Sequence, residues 1–311
     1  MIRSDVKVSI VIPVYNAQFT IPELVKQLIS EISKLYILEI VLINDCSSDN
    51  SHYECLKLYN DNKGIVKYLR LAKNFGEHNS VMAGLNKVTG DFTVIIDDDF
   101  QNPVDEVLNL ISYSVNNNYD VVYTYYGEKK HKMWRNLGSK LNNYMATLLI
   151  KKPKNLYLSS FKCFNKFLVK EIIKYNLPYP YIDGLILRST SNIGTIQVTH
   201  QIRQTGKSGY TLIKLIKLWS NMFTSFSVLP LRVSIFLGLF FAVIGFFLGI
   251  YSVIEHFIDP TLPAGFASIA TAIFVFAGIQ LISLGMLGEY IGRIFISLNK
   301  QPQFTIREEY L

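Results

Sequence analysis

The chain has 311 residues, of which 50% are hydrophobic, with a net charge of +7 and a mean hydropathy of +0.23. That length allows one large domain and an appendage, and the hydropathy is too high for an evenly soluble protein. The basic balance would suit nucleic acid, but no compact basic motif or recognition-helix pattern accompanies it, so no nucleic-acid partner is expected. Attraction to anionic lipid is the simpler reading.

Val8 to Ile12 reads as a buried strand that Pro13 ends. Thr20-Ile21-Pro22-Glu23 has the form of a capping box with proline in the first turn. Leu24, Leu28, Ile32 and Leu35 then recur at helical spacing. Glu39 to Ile43 is a second strand, ending at Asn44-Asp45. Val66 to Leu71 is a third, ending near Lys73-Asn74. A helix over Asn79 to Val88 should close at Gly90. Asp91 to Ile96 is a fourth strand and delivers Asp97-Asp98-Asp99-Phe100-Gln101. Asp120 to Tyr126 reads as another strand. The βαβαβ order predicts an α/β fold with a mainly parallel sheet covered on both faces. Ligands of such sheets bind beyond the carboxyl ends of the strands, where Tyr15, Asn16, Asp45, Asn74 and Asp97 to Asp99 all fall. The G-x-G-x-x-G dinucleotide fingerprint is absent from the first turn.

Basic residues follow the fifth strand, from Lys129 through Arg135 and Lys140 to Lys154. Thr211 to Phe226 is amphipathic, with Leu212, Leu215, Ile216, Trp219 and Phe223 on one face, and reads as a helix lying in the headgroup region. Val233 to Ile254 and Gly265 to Gly288 are uncharged and long enough to cross about 30 Å of hydrocarbon. Arg232 precedes the first run, Arg293, Lys300 and Arg307 follow the second, and the Glu255 to Ala264 loop has no Lys or Arg. The positive-inside rule then puts both flanks in the cytoplasm. Met1 to Lys7 is charged and leads straight into a strand, so no signal peptide is expected. The expected organisation is a catalytic domain over 1–209, an interfacial helix over 210–229, a transmembrane hairpin over 230–290 and a cytoplasmic tail over 291–311. Cys46, Cys55 and Cys163 lack zinc spacing and read as reduced thiols. Gly245 and Gly249 form a small-xxx-small pair, beside Gly238, and a homo-oligomer is expected.

Three carboxylates at the end of a buried strand need a cation. A divalent metal carrying a nucleotide diphosphate supplies one, whereas a solvated acidic turn is the bland alternative. Asp97, Asp99 and Gln101 would face hydrated Mg²⁺ or Mn²⁺. Asp45 would accept hydrogen bonds from base or ribose, with Pro13 and Tyr15 walling the slot. A domain tethered to the bilayer suggests a membrane-borne acceptor. A polyprenyl phosphate fits, because its phosphate is largely ionised at neutral pH and needs no strong base. It does need a cationic clamp. Arg135 with Ser139 comes first, then Arg203 and the Gly206-Lys207-Ser208 turn. The five histidines form no triad, and His78 reads as a helix-surface residue.

Together these pieces resemble family 2 glycosyltransferases, specifically the polyprenyl-phosphate branch. The matching segments are Val11-Ile12-Pro13-Val14-Tyr15-Asn16, Asn44-Asp45-Cys46-Ser47-Ser48-Asp49, Asn74-Phe75-Gly76, Asp97 to Pro103, Gly206 to Tyr210, and Leu287 to Arg293. The resemblance implies a GT-A fold, an inverting transfer from a UDP-, GDP- or dTDP-linked sugar, and a bacterial inner-membrane enzyme with a cytoplasmic catalytic domain. It implies metal binding at Asp97, Asp99 and Gln101, nucleotide binding at Pro13, Tyr15, Asn16, Asp45 and Asp97, and catalytic roles for Asp97, Asp99 and Arg135. Arg135, Ser139, Lys129, Arg203 and Ser208 would hold the lipid phosphate. Several residues depart from the family pattern: Asn44, Asp98, Tyr126, Ser159-Ser160-Phe161-Lys162, and the placement of Lys207. Two other readings remain open. One is a saccharide acceptor, which would need a general base such as Asp183. The other is a non-catalytic membrane scaffold.

Overall fold

The computed structural model describes residues 5–126, 152–153, 156–199, 229–258, 266–299 and 301–311. In chain order the first elements are β1 (Lys7–Val14), α1 (Ile21–Ile32), β2 (Ile37–Asn44), α2 (Ser51–Asp61), β3 (Val66–Leu71), α3 (Glu77–Leu85), β4 (Phe92–Ile95) and α4 (Val104–Asn116). They are followed by β5 (Val121–Tyr126), β6 (Lys162–Asn165), α5 (Lys166–Ile172), α6 (Ile182–Ser189) and β7 (Ile193–Val198). Two long helices, α7 (Leu229–Ile258) and α8 (Phe266–Leu298), precede a last strand, β8 (Ile306–Tyr310).

The eight strands form one sheet in the order β7-β5-β6-β4-β1-β2-β3-β8. Four of its seven pairings are parallel. β1 lies near its middle and is buried on both faces, which explains its apolar run from Ile10 to Val14. Val8, Ile10, Ile12 and Val14 face a core with Leu24, Leu28 and Ile32 of α1 and Val107 and Leu110 of α4. On the opposite face, Val11 and Ile43 approach α3 so closely that a Cβ on Gly84 would lie 2.6 Å from the Val11 side chain.

β3 has the boundaries its pattern predicts, while β1 runs on through Pro13, which sits opposite Ile43. The capping box does not form. The Thr20 hydroxyl donates back to the Ala17 carbonyl at 3.3 Å, and α1 starts with proline in its first turn and no side-chain cap. α3 begins earlier than expected, at Glu77, because Gly76 supplies the turn before it at φ 87°.

The far end of the sheet is fastened by Glu39. Its carboxylate accepts from the Ser9 hydroxyl at 2.5 Å and from the Thr89 N–H and hydroxyl, both at 2.8 Å, and pairs with Lys67 at 2.9 Å. Burial alone would raise this carboxyl, but those donors outweigh it and hold it at about 2.

β8 lies antiparallel on β3 at the sheet edge. Arg70 pairs with Glu308 at 2.7 Å, Lys87 pairs with Glu309, and Tyr310 stacks on Tyr68 at 5.8 Å. Residues 1–210 with 301–311 make one compact unit and 211–300 a second. In the second unit α7 and α8 carry runs of spanning length, Val233–Tyr251 and Val275–Leu298. Their outward side chains are apolar and exposed, including Phe236, Phe247, Leu281 and Ile282. Ser234 and Ser283 hydrogen-bond between the two helices at 2.6 Å, and Gly245 packs towards Phe276.

Candidate active site

β1, β2, β3 and β4 are parallel, so all four deliver their exit loops to one rim. Each loop contains one residue with positive φ: Asn16 at 55°, Cys46 at 56°, Gly76 at 87° and Phe100 at 59°. For the three non-glycine residues this backbone costs about 1 kcal/mol or more each, and it persists only where neighbours fix it.

The fixing contacts are polar and run between loops. The Asn16 N–H donates to the Ser47 hydroxyl at 3.1 Å, and the Asn16 side-chain oxygen accepts the Ser48 N–H at 2.9 Å. Asp45, only 4% exposed, accepts the Phe75 N–H at 2.7 Å and the Gly76 N–H at 2.8 Å, one on each oxygen. Burial raises its carboxyl above the usual range despite those donors. Asp45 therefore grips the loop that opens α3. The Asp98 carboxylate accepts the Tyr15 N–H at 3.1 Å, which gives the unusual middle aspartate a role in holding the β1 exit. Tyr15 itself is 53% exposed at this rim, beside Pro13.

Asp97 and Asp99 leave β4 two and four residues past its end. Asp97 accepts from the Ser160 hydroxyl at 2.8 Å. Burial, then the nearby Glu77 and Asp99 charges, push its carboxyl up to about 7, against the pull of Ser160 and Lys162. Asp99 accepts the backbone N–H of Gln101 at 3.1 Å. Among the described residues no three His, Cys, Asp or Glu side chains converge closely enough to enclose a metal ion. A cation here needs further oxygens from whatever it carries. Tyr126 donates to Asn102 at 3.1 Å and so closes the acidic loop from β5.

β6 runs antiparallel to β4, with Lys162 opposite Ile95, so its first residue arrives at the same rim. The Lys162 ammonium pairs with Asp183 at the start of α6, and Asp183 also accepts the Tyr123 hydroxyl at 2.8 Å. Asp183 is thus a buried ion-pair partner and not a surface-loop carboxylate. Its engagement by ammonium and phenol leaves it poorly placed as a base. His78 is not a surface histidine either. Its ring meets Tyr181 edge-on at 5.4 Å, and burial lowers it to about 4, so it is neutral at pH 7. Local pattern cannot show these contacts, which join residues far apart in sequence. Lys129, Arg135, Ser139, Arg203 and Ser208 lie outside the described residues, as does the 210–228 segment.

Residues 9–173 match the model of Glycosyl transferase family 2, and 229–294 match the GtrB C-terminal hairpin. The chain belongs to glycosyltransferase family 2. This transferase is 30% identical to an undecaprenyl-phosphate 4-deoxy-4-formamido-L-arabinose transferase of Proteus mirabilis, over 97% of its own length and 93% of the relative's. It is 32% identical to the Yersinia enterocolitica protein of the same description, with the same coverage of both chains. Among solved structures, glucosyl-3-phosphoglycerate synthase from Mycobacterium tuberculosis, in complex with UDP, superposes with a TM-score of 0.54. That match has 14% identity and covers 71% of this chain and 79% of the other. The same enzyme with Mn²⁺, UDP and glucosyl-3-phosphoglycerate gives a TM-score of 0.51 at 15% identity, covering 70% and 77%. These likenesses show the GT-A fold of the transferase domain.

Proposed function

We propose that this transferase moves a sugar from a nucleoside-diphosphate donor to undecaprenyl phosphate, with inversion, at the cytoplasmic leaflet of a bacterial inner membrane. The observation that carries the reading is the convergence of four tied exit loops on the Asp97–Asp99 rim in a chain that also bears two helices of spanning length. The near-full-length likeness to undecaprenyl-phosphate sugar transferases supports the acceptor.

The rim suits a divalent ion, because burial and the neighbouring Glu77 and Asp99 charges raise the Asp97 carboxyl and a cation would relieve them, and diphosphate oxygens would complete its coordination. Asp97 and Asp99, with Gln101 beside them, would hold Mg²⁺ or Mn²⁺. When bound, the ion neutralises charge on the departing nucleoside diphosphate. Asp45 and Asn16 shape the nucleotide slot by fixing its loops, and Pro13 and Tyr15 line it. An acceptor phosphate oxygen attacks the anomeric carbon, and the bond to the diphosphate oxygen breaks with its electron pair. The phosphate is already an anion, its second pKa being about 6, so no protein base is required. Arg135, with Ser139, Lys129, Arg203 and Ser208, is assigned to the lipid phosphate. Catalysis falls to 1–209, whose sheet the returning 301–311 segment completes with β8, and anchoring to 210–229 and 230–290. The cytoplasmic face carries the 291–311 segment, and copies associate through the Gly238 and Gly249 positions, Gly245 being turned to Phe276 of α8. The saccharide-acceptor reading loses its base, since Asp183 is already engaged.

The test is to incubate the membrane-embedded protein with undecaprenyl phosphate and UDP-, GDP- and dTDP-linked sugars, then weigh the lipid product by mass spectrometry. A glycosyl phospholipid of the expected mass supports the assignment. No lipid product with any donor rejects it in favour of a saccharide acceptor or a scaffold.

A further inference from the structure

Asn44 ends β2 and is 1% exposed. Its side-chain oxygen accepts the Ser47 N–H at 2.8 Å, and the Ser47 hydroxyl accepts the Asn16 N–H at 3.1 Å. Its amide nitrogen donates in the other direction, to the Tyr68 hydroxyl at 3.2 Å. An amide does both at once, whereas a carboxylate in its place would have no hydrogen to give Tyr68. Tyr68 is fully buried on β3, and its hydroxyl lies 2.8 Å from Nδ1 of His52 on α2. The Glu308 carboxylate of β8 faces the other ring nitrogen, Nε2, at 3.9 Å. A carboxylate there favours the proton on Nε2, which leaves Nδ1 to accept from Tyr68. The donors then all point one way, from Asn44 through Tyr68 and His52 to Glu308. Arg70 at 2.7 Å and the Tyr310 hydroxyl at 3.2 Å keep Glu308 in place.

We propose that Asn44, Tyr68 and His52 are positioning residues for the donor's nucleotide, and that β8, through Glu308, sets the Asn16–Ser47 contact that shapes its slot. The proposal rests on the reading of that slot as the nucleotide site. Three observations support it. First, the slot needs an outside brace: Asn16 and Cys46 both have positive φ, and Asn44 holds the Ser47 that ties the two loops together. Second, Asn44 and Tyr68 are buried, so water does not replace a lost partner and the loss passes along to Ser47. Third, β8 also grips the exit of β3. The Ala72 N–H donates to the Thr305 carbonyl at 2.9 Å, just before the Phe75 and Gly76 amides that Asp45 takes. The C-terminal segment therefore supports both the Asn16–Ser47 contact and the loop held by Asp45.

The experiment uses full-length protein in lipid nanodiscs with Mn²⁺ and measures binding of UDP, GDP and dTDP by calorimetry. It compares wild type, Tyr68→Phe, Glu308→Ala and the double variant. Tyr68→Phe keeps the ring that stacks on Tyr310 and removes only the hydroxyl. Losing one buried hydrogen bond predicts that it weakens the preferred diphosphate by about fivefold. Glu308→Ala, which cuts the same line further out, should weaken it by about threefold. The double variant should lose about fivefold and not the product of the two, because one connection is cut twice. Hydrogen exchange of the β3 and β8 amides should stay as in wild type for Tyr68→Phe. Unchanged affinity in either single variant overturns the proposal, as do losses that multiply in the double variant. A Tyr68→Phe loss that comes with exposure of β8 makes the hydroxyl merely structural and overturns it too. If wild type binds none of the three diphosphates, the nucleotide reading itself falls, and this one with it.

Discussion

Replacing Glu39 with glutamine removes the charge that fastens the far end of the sheet. A fall of its carboxyl from 4.5 to about 2, at about 1.4 kcal/mol for each step of one on the pH scale, corresponds to about 3 kcal/mol of stability at neutral pH. The contacts explain that size. Ser9, Thr89 twice and Lys67 all donate to this carboxylate. An amide would aim its NH₂ at one of those donors and leave the Lys67 ammonium unpaired. The sign follows from linkage. The folded value lies below the unfolded one, so the stabilisation is complete above about pH 4.5 and is lost as pH falls towards 2. Urea titrations of detergent-solubilised wild type and Glu39→Gln, followed by hydrogen exchange of β1 and β2 amides, should show a clear gap in midpoint at pH 7. That gap should narrow below pH 4.5. Equal midpoints at pH 7, or a gap that does not change with pH, would refute the reasoning.

Asp98→Ala should raise the donor KM about fivefold by freeing the Tyr15 N–H. Asp98→Asn, which keeps an acceptor oxygen, should restore most of it, and steady-state kinetics with the active donor decides. Gly84→Ala places a methyl 2.6 Å from Val11 and 2.7 Å from Ile43. It should cost about 1–3 kcal/mol, read as a lower urea midpoint. Asp99→Ala should abolish metal-dependent transfer while the protein still fractionates with membranes. Full activity of that variant in EDTA would remove the metal from this rim.

The first five strands were legible in their apolar and β-branched runs, most plainly in Ile10–Val14 of β1, which the sheet buries on both faces, while β6, β7 and β8 carry no such run and were not read. The rim was legible for the same reason: four parallel strands must all end on one side. What escaped was the floor beneath it. Lys162 stood out only as part of a segment that departs from the family pattern, until β6 paired antiparallel with β4 and turned it inward. Asp183 stood out only as a candidate base, and its partners lie 21 and 60 residues away. Thr20-Ile21-Pro22-Glu23 shows the opposite error. The local motif was present, but the Thr20 hydroxyl found the Ala17 carbonyl instead. Asp98 had no derivable role in sequence because its acceptor function serves a backbone N–H 83 residues upstream.

The β8 strand also dictates an order of manufacture. Arg70 and its partner Glu308 are 238 residues apart. At about 5–20 residues per second of synthesis, β3 waits roughly 10–50 s for its neighbour. During that interval both helices of spanning length emerge, and the nascent domain presents an unpaired strand edge to its surroundings. The strand that seals this edge is therefore made after both long helices, so a chain that stops before β8 leaves β3 with an open edge.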